Sequence, residues 1–275
     1  PDGALLWSTL GPIDGYMHDV AIGEDGSVYA VGDDWNDWVP PRMQLMRLTG
    51  DGALLWTMTI VPSGAPTHGR LNAAETRGDG ALIVAGALQR YQPDEDLDTD
   101  GWLAALTPEG AITWERRLDG GQQGHDVING LALAPGGDIV LTGYAGVDVE
   151  QVIDDDDMPA LEQRDALWLV RATADGEPLW STTLTTLPSS SGQRVALHPE
   201  HIVVAGSSAT DEESQHQLVY ASFSHDGALA WWSATDHALA STRAVLVVDD
   251  GAPGGAVYLA GASPDSWVGR FASAP

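Results

Sequence analysis

The sequence predicts an all-β fold: a five-bladed β-propeller of four-stranded antiparallel blades, in one domain over residues 1–275. Three observations predict it. A turn followed by a Trp-ended strand occurs five times, a second short apolar strand occurs five times between those copies, and the two chain ends supply complementary parts of one blade. Repeats spaced by some tens of residues are typical of propellers and other repeat architectures.

The first repeated unit is an acidic-Gly turn that leads into an apolar strand ending in Trp. Its five copies occupy residues 2–7, 51–56, 109–114, 175–180 and 226–231, and their tryptophans lie 49 to 66 residues apart. We interpret this unit as the fourth strand of each blade. We expect its Trp to pack between neighbouring blades, because a large apolar ring at a repeated position is most often part of the core.

The second repeated unit is a β-branched, apolar run that ends in Gly, at residues 28–32, 82–86, 139–143, 202–206 and 257–261. Runs of this length indicate buried strands rather than helices. A third strand follows each run after a loop of variable length, at residues 44–48, 102–106, 168–172, 219–223 and 267–271. Together with the tight turns between them, these units make a four-stranded antiparallel blade.

The chain ends predict how the ring closes. The chain begins with an isolated fourth strand at residues 4–10 and ends after a third strand, so we expect the N-terminal strand to complete the last blade in a three-plus-one (velcro) closure. Closure removes the two sheet edges that an open propeller would expose. The predicted blades span about residues 14–60, 68–118, 125–184, 189–234, and 237–275 together with 1–10.

These units resemble secreted bacterial β-propeller repeats of the SBBP type, in their Asp-Gly turns, Gly-ended strands and Asp-Gly-x-x-x-Trp endings. The Trp-ended unit is also similar to the repeat of propellers that bind pyrroloquinoline quinone, which have more blades. No quinone-binding signature occurs here. The resemblance covers nearly the whole chain. It implies an exported bacterial protein, extracellular, periplasmic or at the cell surface, and it implies no activity.

The composition limits the partners. The chain has 40 acidic and 12 basic residues, all 12 of them Arg, for a net charge of −28. Such a field repels nucleic acid and attracts cations, although an acidic surface also serves solubility alone. The absence of Cys excludes disulfides and thiolate metal sites. No nucleotide-binding motif indicates a nucleotide cofactor.

No apolar run is long enough to span a membrane as a helix. The chain begins at Pro1 without a signal sequence, so we interpret it as a mature protein from which any targeting signal has been removed. We expect a monomer.

Loop lengths predict which side of the propeller carries a site. The turns from first to second and from third to fourth strand are mostly tight, whereas the other side carries the long segments 33–41, 89–100, 145–165 and 207–216. Binding residues are usually displayed on long loops above a rigid scaffold. We therefore expect any site on that side, around the central channel.

Polar residues recur where the first strand of each blade begins. One position is occupied by Asp14, His68, His125, Ser189 and His237, and the position four residues later by His18, Asn72, Asn129, Gln193 and Ser241. His68, His125 and His237, with Asp14 and His18, are candidate ligands for Zn, Cu or Fe at the channel mouth. Asn72, Asn129, Gln193 and Ser241 are predicted to line the channel. The alternative is that these side chains hold neighbouring blades together by hydrogen bonds to backbone.

A second candidate site follows the second strand of blade 2. Asp96, Asp98 and Asp100, with Gly101 behind them, match the first half of a calcium loop, where alternate carboxylates share one side and Gly allows a sharp bend. The acidic ligand expected near the end of such a loop is missing, because Thr107 occupies its position.

Asp100 also has a structural alternative, because Asp165 and Asp265 precede the third strand in other blades. Asp94 or Glu95 could replace the missing calcium ligand. The acidic run at residues 154–157 lacks ligand spacing, and we interpret it as a solvated loop.

The sequence favours a non-enzymatic binding or scaffold domain, whose acidic face binds Ca²⁺ or a His-ligated transition metal and recognises a glycan, a protein or a small molecule. One alternative is an enzyme at the channel mouth: a His-ligated metal hydrolase or oxidase, or a glycosidase whose paired carboxylates include Asp14 or Asp19. Another is a structural ring without a ligand. The pattern assigns a catalytic role to no residue.

Overall fold

The structure is a computed structural model that describes residues 3–12, 14–34, 41–63, 67–90, 98–121, 124–152, 159–209, 216–238, 241–248, 256–263 and 265–272. The described residues form five antiparallel sheets, and no helix occurs among them. The predicted fold class, an all-β five-bladed propeller, is confirmed. Within these ranges there is accordingly no helix long and apolar enough to cross a membrane.

The chain divides into two compact units, Pro1–Leu118 and Asp119–Pro275. The first unit contains two sheets, each with four strands that pair in chain order. Blade 1 consists of β1 (Tyr16–Ile22), β2 (Val28–Asp33), β3 (Met43–Leu48) and β4 (Leu54–Thr59). Blade 2 consists of β5 (Thr67–Thr76), β6 (Leu82–Arg90), β7 (Asp98–Leu106) and β8 (Ile112–Leu118).

The second unit contains two four-stranded sheets and one three-stranded sheet. Blade 3 consists of β9 (Val127–Leu133), β10 (Ile139–Val152), β11 (Pro159–Ala172) and β12 (Pro178–Leu184). Blade 4 consists of β13 (Ser190–Leu197), β14 (Ile202–Ala209), β15 (His216–Phe223) and β16 (Leu229–Ala238). Blade 5 consists of β17 (Ser241–Val248), β18 (Ala256–Ser263) and β19 (Asp265–Ala272).

The second and third strands of the blades carry most of the core. In the first unit one cluster of buried side chains extends from Tyr29 and Val31 in blade 1 to Trp102 and Leu106 in blade 2. In the second unit a cluster around Val204 and Phe223 joins blades 3 and 4. The second and third strands of neighbouring blades thus pack face to face. Their apolar runs are buried on both faces, as the short Gly-ended runs of the sequence predict.

Each first strand contains a one-residue bulge opposite the Gly of the second strand. In blade 2, Leu71 pairs with Gly86 and Ala73 with Ala85, so Asn72 is the extra residue. The bulge brings the two backbones so close that a Cβ on Gly86 would collide with the carbonyl oxygen of Arg70. The same collision occurs at the matching glycines of three other blades, Gly32, Gly143 and Gly206. The repeated Gly is therefore required by close backbone approach.

Two fourth-strand tryptophans pack on the Gly of the acidic-Gly turn in the next blade, which places them between blades as predicted. The indole of Trp180 lies against Gly227, and the indole of Trp56 lies beside Gly110. These glycines have φ angles of 88° and 87°, a region that L-residues rarely adopt, so Gly serves both the turn and the ring contact. Each pair joins consecutive blades within one unit.

The N-terminal segment docks on blade 1 in the same way. Trp7 lies against Gly52, its Nε1 donates to the carbonyl oxygen of Gly50 at 3.1 Å, and Thr9 Oγ1 donates to the carbonyl oxygen of Gly52 at 2.6 Å. Residues 3–12 form no strand, yet Trp7 takes the position that a fourth strand of a preceding blade would give it. Blade 5 has three strands of its own, one fewer than the others. The strand predicted at residues 4–10 is therefore not formed.

Two arginines of the third strands also connect consecutive blades. In the first unit Arg47 forms an ion pair with Asp25 at 2.8 Å and donates to the carbonyl oxygen of Pro108 in blade 2. In the second unit Arg171 forms the same pair with Asp138 at 2.8 Å and donates to a carbonyl oxygen in blade 4. Planar guanidinium groups make several such bonds at once, so each Arg fixes two turns together.

Candidate functional site

The polar position predicted to line the channel is the bulge of each first strand. The pairing of the strands places these residues at the bulges: His18, Asn72, Asn129, Gln193 and Arg243. In blade 5 this corrects the sequence alignment. Ser241 pairs with Ala262 inside the ladder, and the skipped residue between Thr242 and Ala244 is Arg243. The bulge lies opposite Gly261, and the sequence spacing missed it because the segment between β17 and β18 is longer than in the other blades.

His237 is likewise not at the start of the fifth blade. Strand β16 continues to Ala238, which still pairs with Gln217, so His237 belongs to the fourth strand of blade 4. The position four residues before Arg243 is residue 239, which lies outside the described residues. The alignment failed here because β16 is longer than the other fourth strands.

In the second unit the amides at the bulges bind the next blade. Asn129 donates from Nδ2 to Ser191 Oγ at 3.1 Å and to the carbonyl oxygen of Gly192 at 3.0 Å. Gln193 accepts a hydrogen bond from the backbone N–H of Thr242 and donates to Ser207 Oγ. These contacts follow the structural alternative for the polar position, in which repeated side chains hold blades together.

Arg194 adds a link that the sequence analysis missed. Its guanidinium donates to the carbonyl oxygens of three bulge residues: Asn129 at 3.0 Å, Gln193 at 2.8 Å and Arg243 at 3.0 Å. Carbonyls displaced from a ladder by a bulge need other donors. One Arg therefore supplies them for three consecutive blades.

Blade 1 differs from this pattern because its bulge residue is paired with an acid. His18 Nε2 lies 2.7 Å from Asp33 Oδ2, with the Asp33 side chain only 6% exposed and His18 31% exposed. The pair in the same position of blade 4, Gln193 and Ser207, is neutral. A buried carboxylate that accepts from one imidazole nitrogen fixes the tautomer and the orientation of the ring. Blade 1 thus contains a His–Asp pair where the repeat contains an amide.

The remaining channel-mouth candidates lie at or near the first strands of blades 1, 2 and 3. Asp14 is exposed at a bend before β1, and His125 is exposed just before β9. His68 lies on β5, and its Nδ1 is buried with no hydrogen-bond partner among the described residues. No group of three or more His, Asp or Glu side chains in the described part of the chain is arranged to hold a metal ion. The convergence of these residues on one metal stays a prediction.

The predicted calcium loop is mostly strand. Asp98 and Asp100 lie on β7, and the bend expected at Gly101 does not occur, because Gly101 pairs with Ala87 in the middle of a regular ladder. Asp96 lies outside the described residues. Asp100 is buried and forms an ion pair with Arg117 at 3.5 Å. The structural explanation of Asp100 is thereby supported, and binding of Ca²⁺ stays a prediction.

The register also separates the three acids that precede third strands. Asp100 and Asp265 each lie two residues before the Trp that pairs with the repeated Gly, whereas Asp165 lies three residues before Trp168. A shift of one residue turns a side chain to the opposite face of a sheet. Asp165 is therefore not a member of the repeat.

The longest predicted loop, residues 145–165, is a β-hairpin. Strands β10 and β11 pair without interruption from Ile139 with Ala172 to Val152 with Pro159. Their neighbours are shorter: β9 pairs with β10 only as far as Tyr144, and β12 pairs with β11 only from Leu167 onward. We call residues 147–152 and 159–164 the arm, since this two-stranded part extends beyond the four-stranded blade by about 20 Å at the usual rise of a strand.

The base of the arm is anchored on both sides. The carboxylate of Asp126 is buried and accepts from the backbone N–H of Gly146 at 3.2 Å and of Gly120 at 2.6 Å. On the other side Arg164 donates to the carbonyl oxygen of Thr185 at 2.6 Å. Burial raises the pKa of Asp165 at this base, an effect that nearby His125 opposes.

Three histidines come together at the tight-turn end of blade 4, which the sequence analysis did not single out. The rings of His198 and His201 lie 4.5 Å apart between centroids, and His225 Nε2 donates to the carbonyl oxygen of His198 at 3.0 Å. His201 is 9% exposed, and its Nε2 has no hydrogen-bond partner among the described residues. Burial, and then the charge of His198, lower the pKa of His201, while Glu200 opposes the shift.

No protein-family model matches the chain, and no curated protein matches it significantly. Solved structures do resemble it. One is a protein of unknown function from Bacteroides caccae, 12% identical, with a TM-score of 0.51 over 89% of this chain and 70% of that one. Another is a glucose dehydrogenase, 17% identical, with a TM-score of 0.50 over 95% and 84%.

A GH43 endo-arabinanase from Bacillus licheniformis, 10% identical over 96% of both chains, has a lower TM-score of 0.43. At these identities the likeness shows the fold alone. The resemblance to secreted and quinone-type repeats is therefore supported as far as the propeller fold.

Proposed function

We propose that the chain is a non-enzymatic binding domain of an exported bacterial protein, and that it recognises cationic protein segments through the arm of blade 3. The observation that carries the proposal is the arm itself, a hairpin that projects from an otherwise regular blade. Departures from a repeat, presented on a rigid scaffold, are where repeat proteins usually place recognition.

The charge of this region defines the partner. Between Val147 and Arg164 the sequence has seven acidic residues and one basic residue, within a chain of net charge −28. A surface of one sign attracts partners of the other and raises the rate at which they meet. The amides at the bulges of blades 3 and 4 and the guanidinium of Arg194 are already engaged between blades, which leaves the arm as the more available element.

The test is binding of an oligolysine peptide, measured by isothermal titration calorimetry at low and high salt. A variant with Asp148→Asn, Glu150→Gln and Glu162→Gln should bind about tenfold more weakly, since the loss of three ion pairs with the peptide, at about 0.5 kcal/mol each, amounts to that factor. The control is Glu24→Gln, Asp175→Asn and Glu200→Gln, which changes the charge equally at exposed tight turns and should have less than about a twofold effect. If both variants weakened binding equally, the peptide would be responding to the net charge of the protein and not to the arm.

Elemental analysis of protein purified without a His tag tests the metal predictions. Stoichiometric Ca²⁺ alone would fit the binding domain. A stoichiometric transition metal would instead favour the His-ligated enzyme, and the stability measured with and without chelator would show whether the metal is part of the fold.

One observation favours an enzyme as a second candidate: the His18–Asp33 pair, which no other described blade repeats. A base oriented in this way activates water or a substrate hydroxyl. A panel of aryl esters and aryl glycosides should then be hydrolysed, with losses of about 100-fold or more in both His18→Ala and Asp33→Asn. Asn129→Ala is the matched bulge control and should retain activity. No turnover by the wild type would remove this candidate.

A further inference from the structure

The arm has a sheet edge that no strand of the described chain covers. On the outer side of β11 the pairing with β12 begins at Leu167 and continues to Ala172, so it does not reach Pro159–Gln163. The guanidinium of Arg164 and the backbone N–H of Leu167 are bonded to Thr185 and Ser190, so the uncovered edge starts beyond them. It is about five residues, or about 16 Å, long.

The opposite edge, on β10, is less open. The N–H of Gly146 is held by Asp126, and Asp148 takes part in contacts of its own. The β11 edge lies in line with β12, so a strand added there would continue the place of β12 in the sheet. Blade 3 would then be extended from two strands to three along the arm.

A two-stranded ribbon in water is marginally stable, and an uncovered edge is a template for another strand. Native proteins usually cover such an edge or keep it short. Here both strands have 14 residues, twice the length of β9 and β12. A ribbon of this length, with an edge that no described strand covers, is consistent with a surface completed by a partner.

We propose that a cationic, extended segment of a partner protein binds by adding as a strand along β11 of the arm. Main-chain hydrogen bonds supply the strand pairing in this mode of recognition, and side chains of opposite charge select the partner. The acidic residues of the arm define that charge. The inference rests on the proposed function and specifies how the partner is bound.

The probe is an eight-residue peptide of alternating Lys and Val, titrated by calorimetry. Its control is the same peptide with N-methyl groups on alternate backbone nitrogens, which keeps the charge and removes the donors. We expect the control peptide to bind at least tenfold more weakly. Equal binding of the two peptides would overturn strand addition and leave an electrostatic surface, whereas no binding of either would overturn the proposed function as well.

The matched protein variant replaces residues 148–163 by Asn-Gly and so joins Val147 to Arg164, which pair directly across the arm. A two-residue loop of this kind closes a hairpin without strain. Binding of the parent peptide should fall at least tenfold, with the far-ultraviolet spectrum of a folded β protein retained. As a control, Asn-Gly in place of residues 210–215 joins the paired Ala209 and His216 of blade 4 and should leave binding unchanged. Unchanged binding without the arm would contradict the inference, and the two peptides decide it even if this variant does not fold.

Discussion

Arg194 donates a hydrogen bond from Nη1 to the backbone carbonyl oxygen of Asn129, 3.0 Å away in the neighbouring blade. The same guanidinium also reaches the bulge carbonyls of its own blade and of the blade after it. Three blades of the second unit are thus joined through one side chain. The link depends on the bulges, because only a bulge removes these carbonyls from the ladder.

Arg194→Gln should lower the free energy of unfolding by about 2 to 4 kcal/mol, because hydrogen bonds from a charged donor are lost and carbonyls lose their partner. Urea denaturation measures this change. Arg243→Gln is the matched control, since the Arg243 side chain is exposed, and it should change stability by less than about 0.5 kcal/mol. Similar losses in the two variants would mean that charge, rather than the carbonyl contacts, is responsible.

Gly86→Ala should destabilise the protein by more than about 2 kcal/mol, because the new Cβ collides with the rigid backbone of Arg70. Thermal and urea unfolding are suitable measurements. Gly136→Ala is the comparison: no atom lies within 4 Å of the added Cβ, so stability should stay the same or rise by up to about 1 kcal/mol. Tolerance of Ala at position 86 would show that the bulge relaxes.

Stability should fall as the pH drops below about 6.5, the ordinary pKa of His. The pKa of His201 is lowered in the folded state, so the unfolded chain binds the proton more readily and acid favours unfolding. His201→Leu should reduce the slope of stability against pH between about pH 5 and 7. His216→Gln, at an exposed His of β15, should leave that slope unchanged. An equal slope in wild type and His201→Leu would assign the pH dependence to other groups.

Trp7→Ala should lower the free energy of unfolding by about 1 to 3 kcal/mol, less than for a fully buried Trp, because this ring is 38% exposed. The loss reports docking of the N-terminal segment on the turn at Gly52, which the predicted closure requires. Leu10→Ala provides the control at a 98% exposed side chain and should have almost no effect. If Trp7→Ala were as harmless as Leu10→Ala, the segment would contribute nothing to the fold.

The repeats predicted the blades because the Gly, the Asp-Gly turn and the Trp are each required by backbone geometry. Gly86 must accept a bulge and Gly227 must accept both a turn and an indole, so these residues recur and can be read from one sequence. Arg47 and Arg171 perform one task in blades 1 and 3, but Ala105 and Ser222 take the same place in blades 2 and 4. Because this contact does not occur in every blade, its Arg does not recur regularly in the sequence and could not be predicted from the repeat.

The candidate site was less predictable, since bulges shift the register without changing the composition. Alignment by residue type placed Ser241 where the structure places Arg243, and it placed His237 in the wrong blade. Asp33 was included in a loop, although it is the only acid that directly follows the repeated Gly of a second strand. The arm was missed because its Asp residues resemble a loop, while Val147, Val149 and Val152 follow strand spacing only in part.

In each blade the bulge residue has no partner in the ladder. Its side chain is therefore free of the in-and-out alternation that the remaining residues of the strand must follow. Across the five blades this position is occupied by His, Asn, Gln or Arg, whereas the residue opposite is always Gly. This position can therefore exchange its chemistry while the scaffold is kept. It offers a natural place for grafting new ligands or catalytic groups, one blade at a time.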